Sequence, residues 1–225
     1  MRRVQRSRIK WWHIVLIVVV LLASVNVGGN YIISENNYTH NLEVVELFSV
    51  GNFDSQDYLN NVNALSAFNY SLKQDVNAYT HILATYNTLN YLKRAGLYEG
   101  TVDKYLFPEI IKYYDLYAQL GFGYLGTNPI AISWYFKSLG FKAEISFNRQ
   151  DFSDKLVNST IGILYRKGKT TSGAEDIEYR TIIKEPEINR ARYLGPSQTF
   201  DIRTRITYDT AEYKDYFLAL ITINI

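Results

Sequence analysis

The chain begins with ten residues rich in arginine and lysine, followed by an apolar segment over residues 11–27 that only His13, Ser24 and Asn26 interrupt. As an α-helix, these 17 residues extend about 25 Å at a rise of ~1.5 Å per residue, the lower limit for crossing the hydrocarbon core of a bilayer. A buried helix of a soluble protein is a poor alternative, because the five flanking basic residues have no acidic partner nearby. The segment is therefore predicted to insert into a membrane.

Two interpretations of this segment compete, a cleaved signal peptide and an uncleaved signal anchor. Residues 14–25 have the length of a signal-peptide core, but Val27 and Gly29 fit a cleavage site only loosely and no Ala-x-Ala is present. Trp11 and Trp12 form an interfacial aromatic belt, and the flanking positive charge precedes them. We therefore predict a single-pass anchor through residues 11–27, with the N-terminus in the cytoplasm and the rest of the chain extracytoplasmic.

Charge and composition exclude several kinds of site. Five of the 24 Lys and Arg residues lie in the first 27 positions, which contain no acidic residue, so the rest of the chain has 19 basic against 22 acidic residues and a net charge of −3. That balance does not favour nucleic acid as a partner. Cysteine is absent, which excludes disulfides and thiol nucleophiles. The three histidines form no pair at metal-ligand spacing, so neither a metal nor another cofactor is predicted.

The patterning divides the chain into three segments. Residues 1–29 are predicted to be the cytoplasmic basic segment and transmembrane anchor, residues 30–55 a polar stalk, and residues 56–225 one α+β domain. Some apolar side chains of the stalk are expected to pack on the domain as an irregular arm or a short strand: Leu42, Val44, Val45, Leu47, Phe48 and Val50.

Helical periodicity dominates the first part of the domain, and β-branched and aromatic runs dominate the second. The predicted helices cover residues 56–72, 78–96, 101–120 and 130–139. The predicted strands cover residues 141–147, 160–166, 179–184, 199–207 and 216–225, with a turn at residues 167–169. Helices followed by strands indicate an α+β fold in which a helical half packs on a C-terminal antiparallel sheet. The helix near Thr80 has apolar positions around most of its circumference, so we expect it to lie centrally against four or more strands.

One arrangement points to a known family. Gln74 lies six residues before Thr80, which opens a helix over residues 80–93 (THILATYNTLNYLK), and the later residues 126–140 (GTNPIAISWYFKSLG) contain a predicted helix that a strand follows over residues 141–145. This order resembles the papain-like cysteine peptidase fold, especially the compact bacterial branch that trims double-glycine leaders. In that family the Gln helps to form the oxyanion hole and a Cys starts the central helix, whose N-terminus lowers the thiol pKa. The resemblance covers roughly residues 70–225 and implies a papain-like fold.

The chain departs from that family at each catalytic position. Thr80 stands where the resemblance places the Cys, and residues 178–181 (EYRT), where the family's His would open a strand, contain no His. Glu178 and Glu185 occupy the remaining degenerate positions, and Gln74 would be a relict oxyanion contact. Without a thiolate and an imidazole the family's covalent mechanism is not available. The resemblance therefore implies a protein that is not an enzyme.

Thr80 and His81 also have simpler interpretations. Neighbouring helix residues do not face each other, so a Thr–His nucleophile pair is not favoured. Thr80 is predicted to be an N-cap or an ordinary helix residue. His81 is predicted to be either exposed or a hydrogen-bonded residue in a partly buried position.

Tyrosines concentrate around the Gly-rich residues 121–126, where core packing and a recognition surface both fit the composition. The predicted binding residues are Gln74, Thr80, Tyr114, Tyr117, Tyr124 and Tyr135. The predicted function is a membrane-anchored, non-catalytic domain that holds a peptide or protein partner at the cell envelope. Two alternatives stay open: an accessory or structural subunit of an envelope complex, and a hydrolase with a non-thiol site such as Glu178 with Tyr179.

Overall fold

A computed structural model describes residues 10–46, 65, 67–70, 80–118, 128–169, 175–184, 190–193, 199–201 and 216–225. Within these residues the helices are α1 (Trp11–Glu46), α2 (Thr80–Arg94), α3 (Leu106–Tyr117), α4 (Ile130–Ser138) and α5 (Phe152–Val157). The strands are β1 (Lys142–Ser146), β2 (Ile161–Lys169), β3 (Glu175–Lys184), β4 (Arg190–Tyr193), β5 (Thr199–Asp201) and β6 (Tyr216–Asn224). The fold is α+β, as predicted.

Helix α1 is a single rod of 36 residues. Among the described residues it is the one helix that is long and apolar enough to cross a membrane by length and composition, and none of its most apolar 18-residue window is buried. Exposed apolar side chains run from Trp11 to Ile32 on all sides of the helix. A helix that is apolar all round and uncovered by protein is typical of a segment solvated by lipid.

The second half of α1 packs along α3 in the opposite direction. Three contacts in order along the two helices establish this direction: Asn30 Nδ2 to the carbonyl oxygen of Leu116 (3.5 Å), Glu35 Oε1 to Lys112 Nζ (2.8 Å), and the Tyr105 hydroxyl to Glu46 Oε1 (2.9 Å). The C-terminal end of α3 therefore lies beside the point where the exposed apolar part of α1 ends.

The stripe of α1 that faces the domain is buried but polar. Asn37 Nδ2 donates to the fully buried carboxylate of Asp115 at 2.6 Å. Asn41 makes two hydrogen bonds with the backbone of Asn69, one from its Nδ2 to the carbonyl oxygen (2.8 Å) and one from the backbone N–H to its Oδ1 (2.7 Å). Because each of these polar groups is paired, the stripe helps to hold α1 in one register on the domain, together with the buried Val45 near the end of the helix.

This packing corrects the expectation for the segment after residue 29. An irregular arm or short strand was predicted for its apolar residues, but residues 30–46 continue the helix, and Val45 is buried in the core. The physical reason is that this asparagine-rich sequence gains helix stability from the hydrogen bonds it makes with α3 and with Asn69, which local propensity does not include. Leu47, Phe48 and Val50 lie outside the described residues.

Removing one of these hydrogen bonds should weaken the docking of α1. We expect Asn37→Ala to lower the free energy of unfolding by about 1–2 kcal/mol, because the buried Asp115 carboxylate loses a donor. The neighbouring Asn36 is exposed, so Asn36→Ala should change stability by less than ~0.5 kcal/mol. Urea titration of the full chain in detergent micelles measures both. Equal effects from the two variants would show that the stripe does not hold the helix.

Helices α2 and α4 end in the same way. Gly96 and Gly140 have φ values of 71° and 91°, and the residue after each donates to a carbonyl five positions back, Leu97 to Leu92 and Phe141 to Phe136. Both are Schellman motifs, which only a residue tolerant of positive φ allows. Both helices therefore end within two residues of their predicted C-terminal limits, residues 96 and 139. At the start of α4, Asn128 Oδ1 accepts the N–H of Ile130 at 3.0 Å, as expected of a polar cap.

The strands form one antiparallel sheet in the order β1-β6-β2-β3-β4-β5. Helix α2 lies centrally against β2 and β3 and also contacts α3. Ten consecutive α2 residues, from Thr80 to Leu89, are buried, as the apolar circumference predicted. The core between the helices and this face of the sheet includes Ile82, Leu89, Ile163, Ile183 and Ile221. The C-terminal strands therefore serve mainly as the surface on which α2 is buried.

A smaller apolar cluster covers the opposite face of the sheet, where α5 lies. Phe152 and Leu156 of α5 are buried there with Leu164, Ile182 and Leu220. Gly162 permits this approach, since a Cβ at that position would lie 3.0 Å from Leu156 Cδ1 and 3.2 Å from atoms of two strand residues. The sheet is thus covered on both sides.

Three local predictions in this half were wrong or incomplete. Residues 167–169 were expected to form a turn, but they extend β2 and pair with residues 175–177 of β3. Helix α5 was not predicted, since its polar residues read as a solvated turn. Strand β4 was also not predicted, because its four residues alternate Arg with Ala and Tyr.

Candidate functional site

The first residue of α2 contacts the middle of β3. The family resemblance places its Cys at the first of these positions, Thr80, and its His at the second, within residues 178–181. Thr80 is the first residue of α2, and its Oγ1 accepts the backbone N–H of Tyr179 at 3.0 Å. Both residues are buried. Register explains this contact: among the described residues β4 pairs with β3 only from Ile182 onward, so the N–H of Tyr179 has no strand partner there on that side.

His81 lies next to this contact, in the core. Its Nε2 is 2.6 Å from the Tyr70 hydroxyl. Its ring centroid is 5.3 Å from that of Tyr70, 5.0 Å from that of Tyr114 and 5.8 Å from that of Tyr179. Complete burial among these rings lowers the pKa of His81 to about 3, so the imidazole is neutral at physiological pH. Of the two predicted alternatives, exposure is wrong and the hydrogen-bonded position is confirmed, but the burial is complete rather than partial.

Two threonines of α2 extend the polar cluster along the helix. Thr85 donates to the carbonyl oxygen of His81 (2.8 Å), and its Oγ1 is 2.5 Å from the Tyr114 hydroxyl. One turn later, Thr88 Oγ1 is 3.2 Å from Thr181 Oγ1 of β3, and both threonines donate to the carbonyl oxygen of Ala84. These bonds tie α2 to α3 on one side and to β3 on the other. The sequence analysis did not identify this cluster. It could have been predicted from the threonines that recur in a helix whose other residues are mostly apolar.

The Tyr179 hydroxyl is the exception in the cluster. Its ring is stacked on Tyr165 (centroids 4.5 Å apart), and its side chain is buried, yet its oxygen has no hydrogen-bond partner in the part of the chain that the structure describes. Burial raises the pKa of Tyr179 well above that of an ordinary phenol. The side chain therefore enters the core as a neutral phenol, and its unpaired hydroxyl carries a desolvation cost.

Of the predicted binding residues that the structure describes, most are buried and one is exposed. Thr80, Tyr114 and Tyr135 are buried, whereas Tyr117 is 50% exposed. Gln74, Tyr124 and Glu185 lie outside the described residues, as does the side chain of Glu178, whose backbone pairs with Arg166 in the β2–β3 hairpin. Within the described residues, Tyr117 alone of the predicted set offers a partner a surface of that size. A binding role for the set stays a prediction.

The cluster has little capacity for chemistry in this arrangement. The Thr80 hydroxyl is engaged with β3, and the His81 Nε2 is engaged with Tyr70 and shut off from solvent. A general base needs access to the proton that it removes, which burial at this depth does not provide. No group of three or more His, Cys, Asp or Glu residues suited to a metal ion occurs among the described residues.

Comparisons with protein-family models, with curated proteins and with solved structures found no match to this chain.

Proposed function

We propose that this protein is a single-pass, membrane-anchored extracytoplasmic domain without catalytic activity, and that it serves as an accessory subunit which holds a protein partner at a fixed position on the cell envelope. The observation that carries this proposal is the continuity of α1. It runs as one helix from its exposed apolar part, near the N-terminus, into the domain. The polar stripe of α1, paired with α3 and with Asn69, leaves no flexible linker between the apolar part and the domain.

Rigid attachment suits an accessory subunit better than a tethered enzyme. A helix that enters the domain without a break transmits its position in the bilayer to every surface of the domain. A flexible stalk would instead let the domain sample a large volume around its anchor. The fixed geometry favours a function in which the height and orientation of the domain matter, as they do for a subunit of a larger assembly.

We also propose that the domain is a degenerate member of the papain-like group. The central α2, its contact with an antiparallel sheet, and the bond from Tyr179 to Thr80 support this relation, since the resemblance expects the Cys and His positions to adjoin each other. Tyr179 stands at the His position, and its ring contacts His81 and Tyr165. Because Thr80 and Tyr179 are both buried, the accessory function is favoured over peptide binding at these two positions. The alternative hydrolase with Tyr179 has less support, because a buried phenol of raised pKa is a poor base or nucleophile.

Topology is the first test. Because the chain has no cysteine, single-cysteine variants label at one known place. We expect Tyr105→Cys, at the exposed residue that precedes α3, to react with a membrane-impermeant maleimide on intact, wall-stripped cells. Lys10→Cys, on the other side of the apolar part, should react only after the membrane is permeabilised. The reverse pattern, or labelling of both on intact cells, would refute the proposed anchor.

Loss of the Thr80 hydroxyl should lower the stability of the domain and should not change peptide hydrolysis, since none is expected of the parent chain. We expect Thr80→Val to lower the free energy of unfolding by about 1–2 kcal/mol, because the buried Tyr179 N–H loses its acceptor. Thr80→Ser retains the acceptor and is the matched control, with most of that loss restored. Urea titration measures stability, and a peptide library incubated with each purified protein measures hydrolysis. Cleavage by the parent chain that disappears in Thr80→Val and returns in Thr80→Ser would replace the proposed function with the hydrolase.

A further inference from the structure

The aromatic residues of α1 have a spacing that matches a bilayer. Tyr31 is 20 positions after Trp11, which corresponds to about 30 Å along the helix. This equals the thickness of a typical hydrocarbon core, about 30 Å. Both side chains are exposed, and Trp and Tyr concentrate at the two interfaces of a bilayer. With Trp11 at one interface, the other interface lies at the level of Tyr31.

The domain reaches that same level through α3. Asn30, adjacent to Tyr31, donates to the carbonyl oxygen of Leu116 at the end of α3. Since α3 runs antiparallel to α1, its C-terminal end points toward the apolar part and its N-terminal end points away. Tyr117, the last residue of α3, is therefore within about one helical turn of the outer interface, whereas Tyr105 lies 12 positions earlier, about 18 Å farther from the membrane.

We infer that the C-terminal end of α3 is a membrane-docking surface, with Tyr117 in the lipid headgroup region beside Tyr31. This inference rests on the proposed function, because it requires α1 to span the bilayer. Tyr117 is half exposed, whereas the two other α3 tyrosines at this end are packed: Tyr114 is buried, and Tyr113 packs on Tyr135 and on Tyr117 itself. An aromatic ring with a polar hydroxyl is the side chain that the interface accommodates best, with its ring toward the acyl chains and its hydroxyl in the headgroups.

The same position argues against a protein partner for Tyr117. A protein partner that covers the Tyr117 side chain would have to lie between the domain and the bilayer. The contact of Asn30 with Leu116 leaves only about one helical turn between the end of α3 and the bilayer interface, which is too little space for a partner. Lipid already occupies that level around α1. The docking surface would restrain the tilt of the domain, because it adds a second contact with the membrane to the one that α1 makes.

The test uses three single-cysteine variants of the full chain, each labelled with an environment-sensitive fluorophore and reconstituted into phosphatidylcholine vesicles that contain nitroxide-labelled phosphatidylcholine. Val18→Cys reports the middle of the apolar part, Tyr117→Cys the inferred docking surface, and Tyr105→Cys the far end of the same helix. All three side chains are exposed, so the substitutions leave the core intact. We expect the nitroxide lipid to cause a loss of emission at positions 18 and 117 and none at position 105.

Each other outcome has a distinct meaning. Loss of emission at position 18 without loss at position 117 would overturn the docking surface and leave the proposed anchor standing. Loss at position 105 equal to that at position 117 would overturn it as well, because the domain would then lie on its side. No loss at position 18 would overturn both the anchor and the docking surface. Quenching of position 117 by aqueous iodide to the same extent as position 105 would show that Tyr117 faces water and would likewise overturn the inference.

Discussion

Acid should destabilise this protein through one buried imidazole. The pKa of His81 is about 3 in the folded protein and about 6.5 in an unfolded chain. Above pH 6.5 both states are neutral at this site, so stability does not depend on its titration. Between pH 6.5 and pH 3 the unfolded chain binds a proton that the folded protein excludes, and each unit of pH removes about 1.4 kcal/mol. We expect a loss near 3 kcal/mol by pH 4.5, and of about 4–5 kcal/mol by pH 3.

The measurement is the free energy of unfolding from urea titrations at pH 7 and pH 4.5, with the full chain in detergent micelles. His81→Gln does not titrate and keeps an amide that can bond the Tyr70 hydroxyl, so its stability should fall much less between the two pH values. His40 is exposed on α1, and His40→Gln should retain the full acid sensitivity of the parent chain. Identical acid sensitivity in His81→Gln and the parent chain would contradict this assignment, since carboxylates would then account for the whole effect.

The same chemical change should have opposite effects at two buried tyrosines. Tyr179→Phe removes a hydroxyl without a partner among the described residues, so we expect the free energy of unfolding to rise by about 1–3 kcal/mol. Tyr114→Phe removes a hydroxyl that lies 2.5 Å from Thr85 Oγ1, so we expect a fall of about 1–3 kcal/mol. Both rings stay in place, so the apolar contacts of the core are conserved in each variant.

Thermal and urea unfolding of the two variants, compared with the parent chain, measure this difference in sign. The double variant tests independence, because a sum of the two effects is expected if the hydroxyls do not share a partner. A destabilised Tyr179→Phe variant would contradict the prediction, and would indicate that the Tyr179 hydroxyl is bonded in solution, for example through a buried water.

Local sequence determined the elements whose cause is local. The apolar segment is recognised from composition, because crossing a bilayer requires only length and apolar side chains. The ends of α2 and α4 follow from Gly96 and Gly140, since a helix end with positive φ selects glycine wherever it occurs. The strands that face the core follow from β-branched and aromatic runs. The central position of α2 also followed from its own residues, because a helix that is apolar around most of its circumference must be covered on most sides.

Tertiary structure decided the features that depend on distant partners. Residues 30–46 read as a polar stalk, because nothing within that segment shows that Asp115 and Asn69 will pair with its asparagines. His81 reads the same whether exposed or buried. Its neutral, buried state arises from Tyr70, 11 positions earlier, and from Tyr114 and Tyr179, which α3 and β3 bring from 33 and 98 positions away. A polar side chain is stable in the core only when its hydrogen bonds are satisfied there, and in this protein the partners that satisfy them lie far away in the chain.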